Sequence, residues 1–348
     1  MRILVLGASG YVGSRLVPAL LEAGHTVVAA SSSVPDPGRF AWGHDVEWVR
    51  CDVTDPTDVA AALEGVEGVC YLVHSLSVRG FGDRDRLGAQ TVRRAVDAAD
   101  VSRLVYLSGL VPEVPRSELS DHIASRLEVE EELLAADSST LALRAGVVIG
   151  AGSTSFEVIR QLATLLVVQP VPRWLRSRVQ PIAVSDCVRA LVEAFDPGST
   201  ATGAVDVGGP DVVPYPRLLR EYSRAARMLR VRVPAVVAPT PLVSLATAGL
   251  VQAPFRTVAA LVESLRHDMV CRPDATWRFS DGVPPLSVRE AMQRAVDPRS
   301  GTLEAPLPSD PEWTRMRAPV LDELRLPRTI RAGASLARHR WGGLRTRR

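Results

Sequence analysis

Neither lysine nor asparagine occurs anywhere in this chain, so all 41 of its Lys-or-Arg positions are arginine. Any catalytic device that needs an ammonium or a carboxamide of asparagine is therefore excluded. GC-rich coding accounts for such a bias without invoking selection for function. Cysteine is scarce too. Cys51, Cys70, Cys187 and Cys271 stand far apart, with no C-x-x-C pair and no Cys/His cluster at zinc-ligand spacing, so no metal site is expected and the thiols read as reduced and intracellular. No uninterrupted apolar run reaches the roughly 18–20 residues that span a bilayer. The N-terminus, "RILVLGASG", reads as a strand entering a glycine turn with no cleavage site behind it, and a cytoplasmic protein without a leader is expected.

What is present is ordinary for a globular enzyme: 348 residues, 46% apolar, 23% charged and a formal net charge of +2, which predicts no polyanionic partner such as nucleic acid. Short β-rich runs ("RILVLG", "TVVAAS", "VEWVRC", "VCYLVH", "RLVYLS", "LALRAG", "AVDVGG") alternate with amphipathic stretches of helical length through about residue 210. That alternation predicts an α/β fold, a doubly wound parallel Rossmann sheet covered on both faces. Residues 1–210 form the expected nucleotide-binding domain, 211–300 a smaller, mainly helical cap packed on it, and 301–348 a Pro/Arg-rich tail. Within the cap region the apolar 235–265 stretch is broken by Pro239, Pro241 and Pro254, which favours a pair of packed helices over a membrane-surface segment. Beyond Glu323 there is no acid, while eight arginines from Arg325 to Arg348 give a solvated tail or, alternatively, a patch drawn to the anionic inner face of a membrane.

The sharpest motif is "GASGYVG" at residues 7–13, between a strand and a helix. Gly7 permits the tight turn, Gly10 the approach of a pyrophosphate and Gly13 close packing of the helix, while the amides of Ser9, Gly10, Tyr11 and Val12 face the phosphates at the helix's positive end. A dinucleotide cofactor follows. At the end of the second strand neither the acid typical of NAD nor an immediate arginine is found; Ser31, Ser32 and Ser33 followed by Asp36 and Arg39 suit a 2′-phosphate better than a bare ribose, so NADP leads and NAD is the alternative. In "CDVTD", Asp52 is placed to accept from the adenine amino group and Val53 to pack on the ring, with Asp55 as a helix cap.

Taken in order, "GASGYVG", "CDVTD", "YLVHSL", "RLVYLSGL", "LRAGVVIGAGSTSFE", "VQPIAVSDCVRAL" and "VDVGGPDVVPY" span residues 1–225 and resemble an extended or atypical short-chain dehydrogenase/reductase of the NAD(P)H-binding, epimerase-like kind. The resemblance implies an oxidoreductase or epimerase acting on a small carbonyl or sugar-nucleotide-like substrate. It also exposes a departure: the usual Tyr-x-x-x-Lys pair cannot exist without lysine. His122 and Arg126 occupy its expected place, four apart and so on one helical face, and Ser108 stands where the resemblance implies a catalytic hydroxyl. An imidazole titrates near neutrality and can transfer a proton, whereas arginine can only hold charge. Two alternatives stay open for this trio: ligand binding without turnover, as in a redox sensor or assembly factor, and a purely structural helix turn. His74 and Ser75, after the fourth strand, are expected beside the nicotinamide half of the cofactor, and Arg144, Ser153, Ser155 and Phe156 on the substrate wall. Gln180 and Asp186 belong to the same resemblance, with Asp186 expected to cap a helix.

Overall fold

The structure is a computed structural model describing residues 1–34, 36–74, 81–235 and 263–315. Ser75, the apolar stretch 236–262 and the arginine-rich end from 316 lie outside the described residues.

The seven strands read from the sequence form one sheet: β1 (Arg2–Leu6), β2 (Thr26–Ser31), β3 (Glu47–Arg50), β4 (Gly68–Tyr71), β5 (Arg103–Gly109), β6 (Ser139–Ala145) and β7 (Gly203–Val207). All neighbours run parallel, in the order β7-β6-β5-β4-β1-β2-β3. Connections diverge to either side between β1 and β4, and in such sheets a crevice for ligands opens at the carboxyl ends there.

Period-two alternation distributes the side chains of β1 between two cores. Ile3 and Val5 pack with Leu16, Leu20 and Leu191 from helices α1 (Gly13–Glu22) and α6 (Val184–Glu193). Leu4 and Leu6 face the opposite layer, where Val59, Val92 and Leu133 come from α2 (Pro56–Ala62), α3 (Phe81–Ala98) and α4 (Asp121–Leu134). Local chemistry fixes where these helices start. Asp55 accepts from the amides of Thr57 and Asp58 with Pro56 following it, and Ser120 accepts from the Ile123 amide.

A third core, built around Phe156, Ile159, Leu218, Tyr222 and Met292, joins α5 (Thr154–Leu165), α7 (Tyr215–Ala225) and α8 (Val288–Val296). These helices, one of them from well before residue 211, share this one core. Residues 303–310, expected in a tail, run instead against α1. Glu304 is fully buried and Asp310 is 1% exposed. The cause is Arg15, a guanidinium with no exposed surface on the core side of α1: it donates to both carboxylate oxygens of Asp310 and to the carbonyls of Leu303, Ala305, Ala151 and Tyr11. A buried charge with five donors is tolerable only when so matched.

Candidate functional site

At the end of β1 the chain turns through Gly7 with φ +90°, a conformation that disfavours any residue with a Cβ. A Cβ on Gly13 would stand 2.4 Å from the Gly7 carbonyl oxygen and 2.7 Å from the Ala8 Cα, so glycine is what lets α1 begin against the turn. Among the described residues, the amides of Ser9, Tyr11 and Val12 donate to no backbone carbonyl. They stand at the N-terminus of a ten-residue helix, whose dipole favours an anion. The turn fits a dinucleotide pyrophosphate. The Tyr11 hydroxyl is turned away from it: the oxygen is buried, the ring lies under the Arg15 guanidinium at 4.1 Å, and desolvation pushes the phenol far above its ordinary pKa.

Around the neighbouring strand ends, Ser31 Oγ is within 3.4 Å of Ser9 Oγ and 3.2 Å of Ser33 Oγ, a cluster of three hydroxyls. Ser32 is exposed beside it. Arg39 donates to the Ser309 carbonyl and lies over the Phe40 ring, so its guanidinium already has a partner in the C-terminal segment. Asp52 accepts from the amide and hydroxyl of Thr54 and from Arg84, which hold its carboxyl below the usual range, the Thr54 amide contributing most. Val53 packs inward against Tyr71 and the Gly88 backbone rather than outward as a platform.

Further along the carboxyl edge a cavity of about 290 Å³ brings together Ser108 at the end of β5, His122 and Arg126 on α4, and His74 after β4. The helical spacing of four does place both α4 side chains on the cavity side. Arg126 donates to the Leu107 carbonyl and lies 5.6 Å from the Tyr106 ring centroid. His74 Nε2 is 3.3 Å from His122 Nδ1, and His74 Nδ1 is 2.9 Å from Asp85 Oδ2. Burial pushes the His122 imidazole well below its ordinary pKa of 6.5, with His74 and the Arg126 charge adding to the effect. Burial and the Arg126 charge also lower His74, against the opposing hydrogen bond that its Nδ1–H donates to Asp85. Both rings are thus neutral near pH 7, able to accept a proton but reluctant to keep it.

Of the expected substrate wall, Ser153 and Ser155 line the cavity. Ser153 also caps α5 by accepting from the Phe156 amide. Two expectations are corrected. Arg144 points to the opposite face of β6, where it makes a forked ion pair with Glu130, because alternation gives the cavity to its neighbour Ala145. Phe156 is 1% exposed and stacks edge-on against Tyr222, since its position on α5 faces α7. Asp186 caps no helix among the described residues. It accepts from the Leu286 amide, joining α6 to the segment before α8, while Gln180 bridges the Gly209 carbonyl and the Cys271 amide. The residue that sequence reasoning missed is Asp85. A signal existed: Asp85, Ala89, Val92 and Val96 follow the i, i+4, i+7, i+11 stripe of α3, and all four are buried. An acid in a core stripe calls for a partner.

Residues 7–142 match a family described as NAD(P)H-binding. An uncharacterised protein of Mycobacterium tuberculosis is 27% identical over 226 residues, which cover 64% of this chain but 23% of that longer protein. The ceramide reductase of Caulobacter vibrioides is 31% identical over 194 residues, 55% of this chain and 59% of that protein. The UDP-glucose 4-epimerase of Thermotoga maritima, solved with UDP-glucose, superposes with a TM-score of 0.61 at 15% identity, over 85% of this chain and 97% of that one. That likeness shows the fold.

Proposed function

We propose, from the premise that the chain belongs to the NAD(P)H-binding, epimerase-like short-chain dehydrogenases/reductases, that it is an oxidoreductase interconverting an apolar carbonyl compound and its alcohol. A nicotinamide dinucleotide, held by the Gly7–Gly13 turn, supplies or takes the hydride when bound. The observation that carries the reading is the cavity at the sheet's carboxyl edge, which gathers a hydroxyl, an imidazole and a guanidinium within apolar walls. Ser108 polarises the carbonyl oxygen, His122 exchanges the proton, and Arg126, bonded to the Leu107 carbonyl, supplies fixed positive charge.

The choice of substrate class rests on charge and polarity. A sugar nucleotide brings a diphosphate that needs cationic partners. Among the described lining residues Arg126 is the sole arginine, while Leu107, Leu110, Ile123, Val147, Val158 and Met269 supply apolar surface. An acyl or alkyl ketone suits this wall better, and a relative named ceramide reductase agrees with it. For the cofactor, the hydroxyl cluster at Ser9, Ser31 and Ser33, with no acid at the end of β2, favours NADP over NAD. The missing Tyr-x-x-x-Lys pair supports a second reading, a protein that binds NAD(P)H without turnover.

Calorimetric titration with NADPH and NADH, followed by assay of NADPH oxidation with 2-undecanone and with UDP-glucose, separates these. Tighter NADPH binding with turnover of the ketone is the expected result. Binding without oxidation of any ketone supports the second reading, and a response to UDP-glucose alone overturns the apolar assignment.

A further inference from the structure

Three titratable side chains from three separate elements line up beside the cavity. Asp85 comes from α3, His74 from the segment after β4 and His122 from α4. Asp85 Oδ2 lies 2.9 Å from His74 Nδ1, His74 Nε2 lies 3.3 Å from His122 Nδ1, and His122 lines the cavity. The carboxylate is buried, at 4% exposure, whereas His74 keeps 18% of its side chain open. A carboxylate tying α3 to β4 would need no second imidazole. Here the outer nitrogen of His74 meets the inner nitrogen of a residue that faces substrate space.

We propose that Asp85, His74 and His122 form a proton relay, in which His122 exchanges a proton with the substrate oxygen while His74, anchored by Asp85, takes up or returns the balancing proton. The inference deepens the oxidoreductase reading and rests on it through the role given to His122.

Hydrogen-bond directions fix the resting state. A carboxylate only accepts, so His74 carries its proton on Nδ1. With both rings neutral, His74 Nε2 has a lone pair and accepts from His122 Nδ1–H. The remaining nitrogen, His122 Nε2, is then a bare acceptor available to the cavity. When a substrate hydroxyl gives its proton to His122 Nε2, the His122 Nδ1 proton passes to His74 Nε2. One O–H bond is broken, one N–H bond is formed at each ring and one is broken at His122 Nδ1, leaving His122 neutral in its other tautomer. His74 becomes an imidazolium beside Asp85. The electron pair leaves the substrate carbon with the hydride, so the relay itself carries only protons. Carbonyl reduction runs the same steps backwards.

Charge placement explains why two rings serve better than one. A proton held on His122 sits next to the Arg126 guanidinium, which disfavours it. Moved to His74, the same charge still feels Arg126 but gains the hydrogen bond and the opposite charge of Asp85. Among the described residues, the other titratable groups that act on Asp85 or Arg126 are the Tyr71 and Tyr106 phenols and the Cys187 thiol, each kept protonated by burial. They add no charge that opposes the transfer.

Nitrogen-15 NMR of the histidines in the full chain without cofactor reads the relay directly. The expected spectrum has His74 protonated at Nδ1 and His122 at Nδ1, with the two rings sharing one coupled proton uptake. In Asp85→Asn that uptake moves at least one pH unit lower, and Asp85→Glu restores much of it. With 2-undecanone and saturating NADPH, His74→Gln is expected to lower turnover 10- to 100-fold, and Asp85→Asn to move the pH profile along with the NMR midpoint. A His74 ring protonated at Nε2 and bare at Nδ1, or rings that titrate independently, overturns the relay even if the variants fail to fold. Turnover that needs His122 but ignores His74 and Asp85 also overturns it while leaving the oxidoreductase reading intact. Turnover indifferent to His122→Gln removes that reading instead.

Discussion

Removing the Asp310 carboxylate strips a wholly buried guanidinium of its only anionic partner among the described residues. Arg15 has no exposed surface and Asp310 1%, and their two contacts are 2.8 and 3.0 Å. Breaking such a pair from one side costs about 3–5 kcal/mol, because the surviving charge stays in the interior. Four carbonyls also receive Arg15, which places the expected cost of Asp310→Ala toward the lower end of that range, about 3 kcal/mol. Asp310 also accepts from the Leu307 amide, so residues 303–310 should loosen from α1 at the same time. In urea, an m-value of about 3 kcal/mol/M turns this into a midpoint lowered by about 1 M. The pair Arg15→Met with Asp310→Leu removes both charges and should recover most of the loss. Since Arg15 lies over Tyr11 in the phosphate turn, the single variant is also expected to bind NADPH more weakly. A midpoint shift below about 0.3 M for Asp310→Ala, equivalent to about 1 kcal/mol, or a double variant as damaged as the single one, would mean that the buried charge of Arg15 does not depend on Asp310.

Three other outcomes are expected. Gly13→Ala drives a Cβ into backbone at 2.4 Å from the Gly7 oxygen, and should destabilise by about 1–3 kcal/mol while weakening NADPH binding at least tenfold in a calorimetric titration. His74 and His122 both have folded-state pKa values below 6.5, so between that value and their folded values the unfolded chain binds more protons. Stability is therefore full above about pH 6.5 and falls as pH drops, and melting temperature measured from pH 7.5 to 5 should fall less in His122→Gln than in the parent chain. Eight arginines beyond residue 324 with no acid among them predict attraction to vesicles of anionic phospholipid at low salt; flotation that persists after removal of residues 325–348 would disconnect the tail from it.

The sheet was legible because its signal is repetitive. "TVVAAS" and "RILVL" coincide with β2 and β1, and six- to seven-residue apolar runs separated by helical periodicity leave few other folds. The glycine turn was equally plain, since Gly7 and Gly13 answer to backbone sterics within seven residues of chain. His122 and Arg126 could be paired because helix spacing is fixed. The rest depended on long-range contacts that no local pattern encodes. Arg15 meets Asp310 across 295 residues, and nothing near either one announces the other. Arg144 and Phe156 were misassigned because being near a strand end does not decide which face a side chain takes. Asp85 sat in an apolar stripe as a visible anomaly, but its partner was His74, eleven residues earlier and on another element.

In the proposed NAD(P)H-dependent carbonyl reaction His122 exchanges the proton in the cavity it shares with Ser108. Single-turnover stopped-flow, following NADPH absorbance with 2-undecanone in the parent chain and in His122→Gln, tests it most directly. The variant should bind NADPH with unchanged affinity and transfer hydride about 10²–10⁴-fold more slowly. Equal rates in the two proteins, or a loss of NADPH affinity that accounts for the whole decline, would contradict it.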